Sequence, residues 1–169
     1  KAVLPGTEGA EEILVTDNCI LVTAGRPRAQ LQDWSATVRD YSTGAKYNRA
    51  LFVIDRNTGT IRWEKRDADT AFILPLSLAA GNSRVFYVNE KGLNALDIST
   101  GNRLWLAEEP VAMQRTAKFG LTVVAHKDVV LYADRVATQK EADAFYASRP
   151  QKYRARYRQL KAFPGLLRA

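Results

Sequence analysis

Leu51-Phe52-Val53-Ile54-Asp55-Arg56-Asn57-Thr58-Gly59-Thr60-Ile61-Arg62-Trp63 is written a second time as Leu93-Asn94-Ala95-Leu96-Asp97-Ile98-Ser99-Thr100-Gly101-Asn102-Arg103-Leu104-Trp105, at a constant offset of 42 with no gap. Leucine, aspartate, threonine, glycine and tryptophan recur at matching places. Each recurring type has a physical task. The apolar run reads as a strand, and Asp-x-x-Thr-Gly reads as the tight turn that ends it. Asp55 and Asp97 can accept backbone N–H groups across that turn, while Gly59 and Gly101 can take positive φ without Cβ strain. A second strand follows and ends in Trp63 or Trp105, whose indole can bury roughly 150–250 Å² against a neighbouring unit. A repeat that cannot cover its own face becomes stable by stacking in this way.

Upstream of each copy, and once more beyond the second, lies another hairpin pattern, two β-rich runs around a polar turn. Ile13–Thr16 and Cys19–Thr23 flank Asp17-Asn18; Phe72–Ala79 and Val85–Val88 flank Gly81-Asn82-Ser83; Leu121–Ala125 and Val129–Tyr132 flank His126-Lys127-Asp128. Four short strands per unit of about 42 residues is propeller-blade spacing. The expected fold is therefore all-β, a partial β-propeller of four-stranded antiparallel blades. Two blades are complete, at about 10–66 and 70–109, and 118–134 is the first half of a third. These units make up residues 1–134, and 135–169 is expected to be a basic helical insert or tail. Read from the sequence, the third unit stops after two strands, so the chain is expected to be part of a longer protein. Open blade faces then predict self-association.

The pattern Ala95-x-Asp97-x-x-Thr100-Gly101-x-x-x-Trp105 resembles the tryptophan-docking motif of PQQ-like, quinoprotein-type propeller repeats, and the first copy departs from it only at Val53. The resemblance covers about residues 10–134. It implies blade-to-blade docking through Trp63 and Trp105, and a periplasmic or other extracytoplasmic location. The family includes quinone-dependent dehydrogenases, which use PQQ with calcium, as well as plain scaffolds. The dehydrogenases often carry adjacent cysteines, which are missing here. The duplicated aspartates are already explained by turns.

Two segments interrupt the repeat. Arg26–Arg49 falls between the second and third strands of the first unit and holds Arg26, Arg28, Trp34, Arg39, Tyr41, Tyr47 and Arg49. Aromatic and arginine content is typical of contact surfaces; the alternative is an insertion that packs Trp34 onto its own blade. The tail follows the second strand of the third unit. Thr138-x-x-Glu141 has capping-box spacing for a helix through Ala147, and Ser148-Arg149-Pro150 reads as a second helix start. Tyr153, Tyr157 and Leu160 then form an apolar stripe beside a basic stripe of Arg154, Arg158 and Lys161. Residues 135–169 hold nine basic and two acidic side chains, while 1–134 hold sixteen of each, so the whole net charge of +7 belongs to the tail. Such a helix suits a nucleic acid, an anionic membrane surface or an acidic protein, or it docks on the blades with its arginines in water. Nothing else in the chain favours nucleic acid. A protein partner, or further blades of the same chain, is the expected neighbour, presented with Arg26, Arg28, Trp34, Tyr153, Arg154, Tyr157 and Arg158.

Catalytic chemistry finds little footing. No apolar run approaches the roughly 20 residues of a transmembrane helix, and the opening residues lack the basic-then-apolar pattern of a secretory leader. The lone Cys19 lies in an apolar run and reads as a core residue, and the lone His126 lies in a turn. One of each cannot build a His/Cys metal cluster. Glycine-rich phosphate loops and the Gly-x-Ser-x-Gly elbow are absent. No catalytic, metal-binding or cofactor-binding residue is assigned. The expected function is a non-catalytic binding scaffold. The alternative is one part of a larger quinone-dependent or other fused enzyme whose site lies outside these residues. Loss of the Trp105 indole is expected to cost about 3–5 kcal/mol, as a large core truncation does.

Overall fold

A strand run that is apolar at every position needs cover on both faces, which stacked sheets supply. The computed structural model describes residues 4–25, 48–74, 76–108, 111, 121–134, 147 and 166–168. Its strands are β1 (Ala10–Val15), β2 (Cys19–Ala24), β3 (Ala50–Asp55), β4 (Ile61–Lys65), β5 (Ala79–Gly81), β6 (Arg84–Asn89), β7 (Gly92–Asp97), β8 (Arg103–Glu108), β9 (Thr122–His126), β10 (Val129–Asp134) and β11 (Leu166–Arg168). They form three antiparallel sheets: β1-β2-β3-β4, β5-β6-β7-β8 and β9-β10-β11. The described part is all-β, and two of its sheets have four strands in simple up-and-down order.

The duplicated sequence produces duplicated atoms. Asp55 Oδ1 accepts the amides of Asn57 and Thr58, and Asp97 Oδ1 accepts those of Ser99 and Thr100, all at 2.9 Å. Gly59 and Gly101 donate to the carbonyls of Asp55 and Asp97 at 2.8 Å, with φ of 71° and 73°. Both following strands carry a bulge at the same place. Val53 pairs with Trp63 and Ile54 with Ile61, so Arg62 is skipped; Ala95 pairs with Trp105 and Leu96 with Arg103, so Leu104 is skipped. The Arg62 guanidinium, helped by the Thr58 amide, holds the Asp55 carboxyl well below the usual carboxylate range. The Ser99 hydroxyl and Thr100 amide lower Asp97. Both acceptors therefore stay ionised at neutral pH.

Trp63 joins the first sheet to the second. Its Nε1–H donates to the carbonyl of Ile98 at 2.8 Å, inside the Asp97 turn. Its ring lies so close under Gly101 that a β-carbon there would meet it at 3.0 Å. Trp105 sits differently: it is 36% exposed and leans on Phe86 of its own sheet, ring centroids 5.9 Å apart.

Between the first two sheets, Leu21, Leu51 and Val53 meet Val85, Tyr87 and Leu96. The intervening residues of β6 and β7, Phe86, Val88, Leu93 and Ala95, turn the other way and meet Val123 and Tyr132 of the third sheet. Alternation with both faces buried accounts for the unbroken apolar reading of these strands. On the far face of the first sheet, Val22, Phe52 and Ile54 are buried, with Leu4 packed against them. Short turns link the sheets as well: Asn82 Nδ2 donates to Asp128 Oδ1 at 2.9 Å and to the Lys127 carbonyl. Asn82 and Ser83 both have positive φ, as a type I′ hairpin loop requires.

Two expectations are corrected. Phe72–Ala79 is not a strand; β5 begins only at Ala79. Pro75 cannot donate to a ladder, and the chain beyond it turns through Leu76 at φ 62°. The third unit does not stop at its second strand, because Leu166–Arg168 returns to pair with Tyr132–Asp134. The end of the tail is thus a strand, and residues 135–165 are inserted within a sheet. Three residues behind Pro164-Gly165 are too short a run to announce a strand. The helices expected from Thr138 and Ser148 lie, Ala147 apart, outside the described residues.

Candidate partner face

The sheets have two kinds of end. At one end are the turns Thr16–Asn18, Asn82-Ser83 and Lys127-Asp128, together with the two Asp-x-x-Thr-Gly turns. At the other, the second strand of each sheet hands over to the third. In the second sheet this handover is a two-residue turn, Glu90-Lys91, closing the Asn89–Gly92 pair. In the first sheet the equivalent pair is Ala24–Ala50, and in the third it is Asp134–Leu166. Both inserts therefore replace the same short turn and leave from the same end of their sheets. Arg26, Arg28, Trp34, Tyr153, Arg154, Tyr157 and Arg158 lie on these inserts, outside the described residues.

Charged side chains are held in place beside the first insert and on the second sheet. Arg49, the last residue of the insertion, is buried, its Nη2 2.9 Å from Glu11 Oε2. Arg66 reaches the Asn48 carbonyl at 3.4 Å, pairs with Glu64, and lies 6.0 Å above the Phe52 ring. Asp69 receives Lys91 at 3.1 Å and Arg103 at 3.0 Å, and its carbonyl accepts from Asn89 Nδ2. The Arg66–Glu64, Lys91–Asp69 and Arg103–Asp69 pairs are partly exposed and contribute little stability each.

Glu12 is the residue here that sequence reasoning missed. It sits on β1 opposite Thr23 and reaches across to the second sheet, where the Leu78 amide donates to its carboxylate at 3.2 and 3.4 Å. Burial raises its carboxyl to about 7, against the lowering pull of the Leu78, Leu76 and Ser77 amides, with the Glu11 charge raising it further. In the unfolded chain the group titrates near the ordinary glutamate value, so between about pH 4.5 and 7 the folded state binds more protons than the unfolded. Stability contributed by this group is full below that window, falls as pH rises through it, and is level above. Glu12→Gln is expected to raise stability at pH 8 by about 1–2 kcal/mol and to remove this slope. Urea unfolding at pH 5 and pH 8 checks it; parallel pH dependence in both chains would count against a buried carboxyl.

At the opposite end, a groove of about 610 Å³ runs across the first strands of the sheets, bordered by Val15, Asn18, Arg62, Ala80, Asn82 and Val124. Arg62 is already engaged by Asp55 and the Asn18 carbonyl. Cys19 is buried, its Sγ 3.2 Å from Thr16 Oγ1. His126 is exposed at the end of β9. No pairing of nucleophile and base is formed by these groups. Among the described residues no three His, Cys, Asp or Glu side chains converge as metal ligands, and no helix is long and apolar enough to cross a membrane. A scan against protein-family models and a search of curated proteins each find no match.

Proposed function

We propose that the chain is part of a β-propeller of PQQ-like repeats that acts as a non-catalytic scaffold, presenting its two inserts to a protein partner from one end of its sheets. The observation that carries this reading is topological: both inserts stand where the second sheet has only Glu90-Lys91. Stacked sheets tolerate extra chain at such a turn without losing core contacts, and in propellers insertions of this kind collect on one face. Trp63, bound under Gly101 and to Ile98, supports repeat-to-repeat stacking of the propeller kind. Basic and aromatic residues on both inserts suit an acidic, partly apolar protein surface.

The competing reading is a segment of a quinone-dependent enzyme. Incubating the longest natural form of the protein with PQQ and calcium separates the two. The scaffold reading expects neither a bound-quinone absorbance band nor dye reduction. A calcium-dependent band with alcohol- or sugar-driven dye reduction would overturn it. A second arm replaces residues 26–48 by a copy of Glu90-Lys91; cooperative unfolding is expected to survive, and its loss would show that the insertion belongs to the core.

A further inference from the structure

The far face of the first sheet is as apolar as the faces that meet other sheets, and it is covered differently. Leu21, Leu51 and Val53 turn towards the second sheet, while Phe86 and Val88 turn from the second towards the third. On the far face Val22, Ala24, Ala50, Phe52 and Ile54 are each at most 5% exposed. Among the described residues their cover comes chiefly from 4–9, which belong to no sheet. Leu4 packs against this face, and Gly6 passes the Phe52 ring, which lies 3.5 Å from where a β-carbon would stand. Gly6 and Gly9 turn the segment at φ of 84° and 78°, where glycine carries no penalty. The Thr7 hydroxyl donates to the Leu4 carbonyl at 2.7 Å and closes the turn. Pro5 and Glu8 face water. An apolar inside and a polar outside is what the end of a stacked array needs.

We propose that residues 4–9 are a removable cap: seated, they keep the far face of the first sheet from a second copy of the chain, and lifted, they let two copies pair through it. The cap is lightly held. It contributes one leucine and a glycine edge to the contact, and among the described residues a single hydrogen bond, from the Gly25 amide to the Gly9 carbonyl at 3.4 Å, ties it to the end of β2. A second sheet covers more of the five apolar side chains than this segment does, and bare patches of that kind are interaction surfaces. The same strands already bury their other face against a sheet of this chain, so a sheet of a second copy has the matching chemistry. Such a pair is isologous, each copy giving and receiving the same patch. Neither the inserts nor the repeat family enters into it.

The test compares the full chain with one lacking residues 1–8, by sedimentation equilibrium and by the methyl resonances of Val22 and Ile54. The shortened chain is expected to self-associate about 10-fold more tightly or better, as uncovered apolar area requires. Its Val22 and Ile54 methyl signals are expected to move with protein concentration. A synthetic peptide of residues 1–9 reverses both effects, and the same peptide with Leu4→Asp does not. Methyl signals that stay where they are in the full chain overturn the cap. Signals that move without any gain in association overturn the pairing of copies. If the shortened chain loses its dispersed spectrum, Gly6→Ala decides: a β-carbon at φ 84° favours release by about 10-fold, and concentration-dependent shifts at Val22 and Ile54 are expected, their absence overturning the proposal.

Discussion

Trp63→Ala is expected to lower stability by about 3 kcal/mol, and Trp105→Ala by only about 1 kcal/mol. The two indoles occupy the same place in the repeat, and a reading of the motif alone assigns them equal weight. Their surroundings differ. Trp63 is half-buried in the core between the first and second sheets and gives its N–H to Ile98. Removing it opens a gap between the sheets and strands a carbonyl that has lost its donor, and these two costs add. Trp105 is 36% exposed, and among the described residues its aromatic neighbour is Phe86. An aromatic pair at that distance contributes about 0.5–1.5 kcal/mol. The expectation of about 3–5 kcal/mol for Trp105 therefore passes to Trp63. Urea unfolding of the three chains, with slopes compared to exclude changes in the unfolded state, reads the difference directly. Equal losses would mean that the contact with Gly101 and Ile98 contributes nothing.

What could be read beforehand and what could not divides along sequence distance. The turn at Asp55–Gly59 and its copy at Asp97–Gly101 are local structures, set by an aspartate oxygen two and three residues from the amides it accepts. Local chemistry is written in adjacent letters, so residue spacing was enough. The position of both inserts was legible for the same reason, since each follows a recognisable second strand. Glu12 was not legible. In Ala10-Glu11-Glu12-Ile13 two acids look like ordinary solvated charge at the start of a strand. Their burial depends on Leu78 and Arg49, 66 and 38 residues away, which no periodicity connects to them. The strand expected at 72–79 failed through the same kind of competition, between apolar composition and a proline with a left-handed turn behind it. Whether an indole is seated depends on another sheet's turn being beside it, and no property of the tryptophan itself reports that.

Gly101→Ala is expected to cost about 2–4 kcal/mol, and Gly59→Ala about 1 kcal/mol, although both glycines share a motif and a backbone conformation. A left-handed φ penalises any β-carbon by about 1–2 kcal/mol, and with φ of 71° and 73° that cost applies equally to both. The second cost falls on Gly101 alone. A methyl group there meets two carbons of the Trp63 ring at 3.0 Å, closer than carbon atoms approach without one of them moving. The ring has little room to yield: its N–H is tied to Ile98 and its face to the core between the sheets. Either the Asp97 turn lifts off or the indole tilts out, and each releases the contact that joins the two sheets. Gly59 faces open space, so its methyl group meets only the conformational cost. The difference between the two variants thus isolates steric contact from backbone strain, because the strain cancels. A difference near zero would place the Trp63 ring away from Gly101, whereas about 1–3 kcal/mol is what overpacking at that contact requires. The same pair also reports on the first sheet: a Gly59→Ala loss as large as that at Gly101 would mean its turn is already covered, by something that packs against it as tightly as Trp63 packs against Gly101.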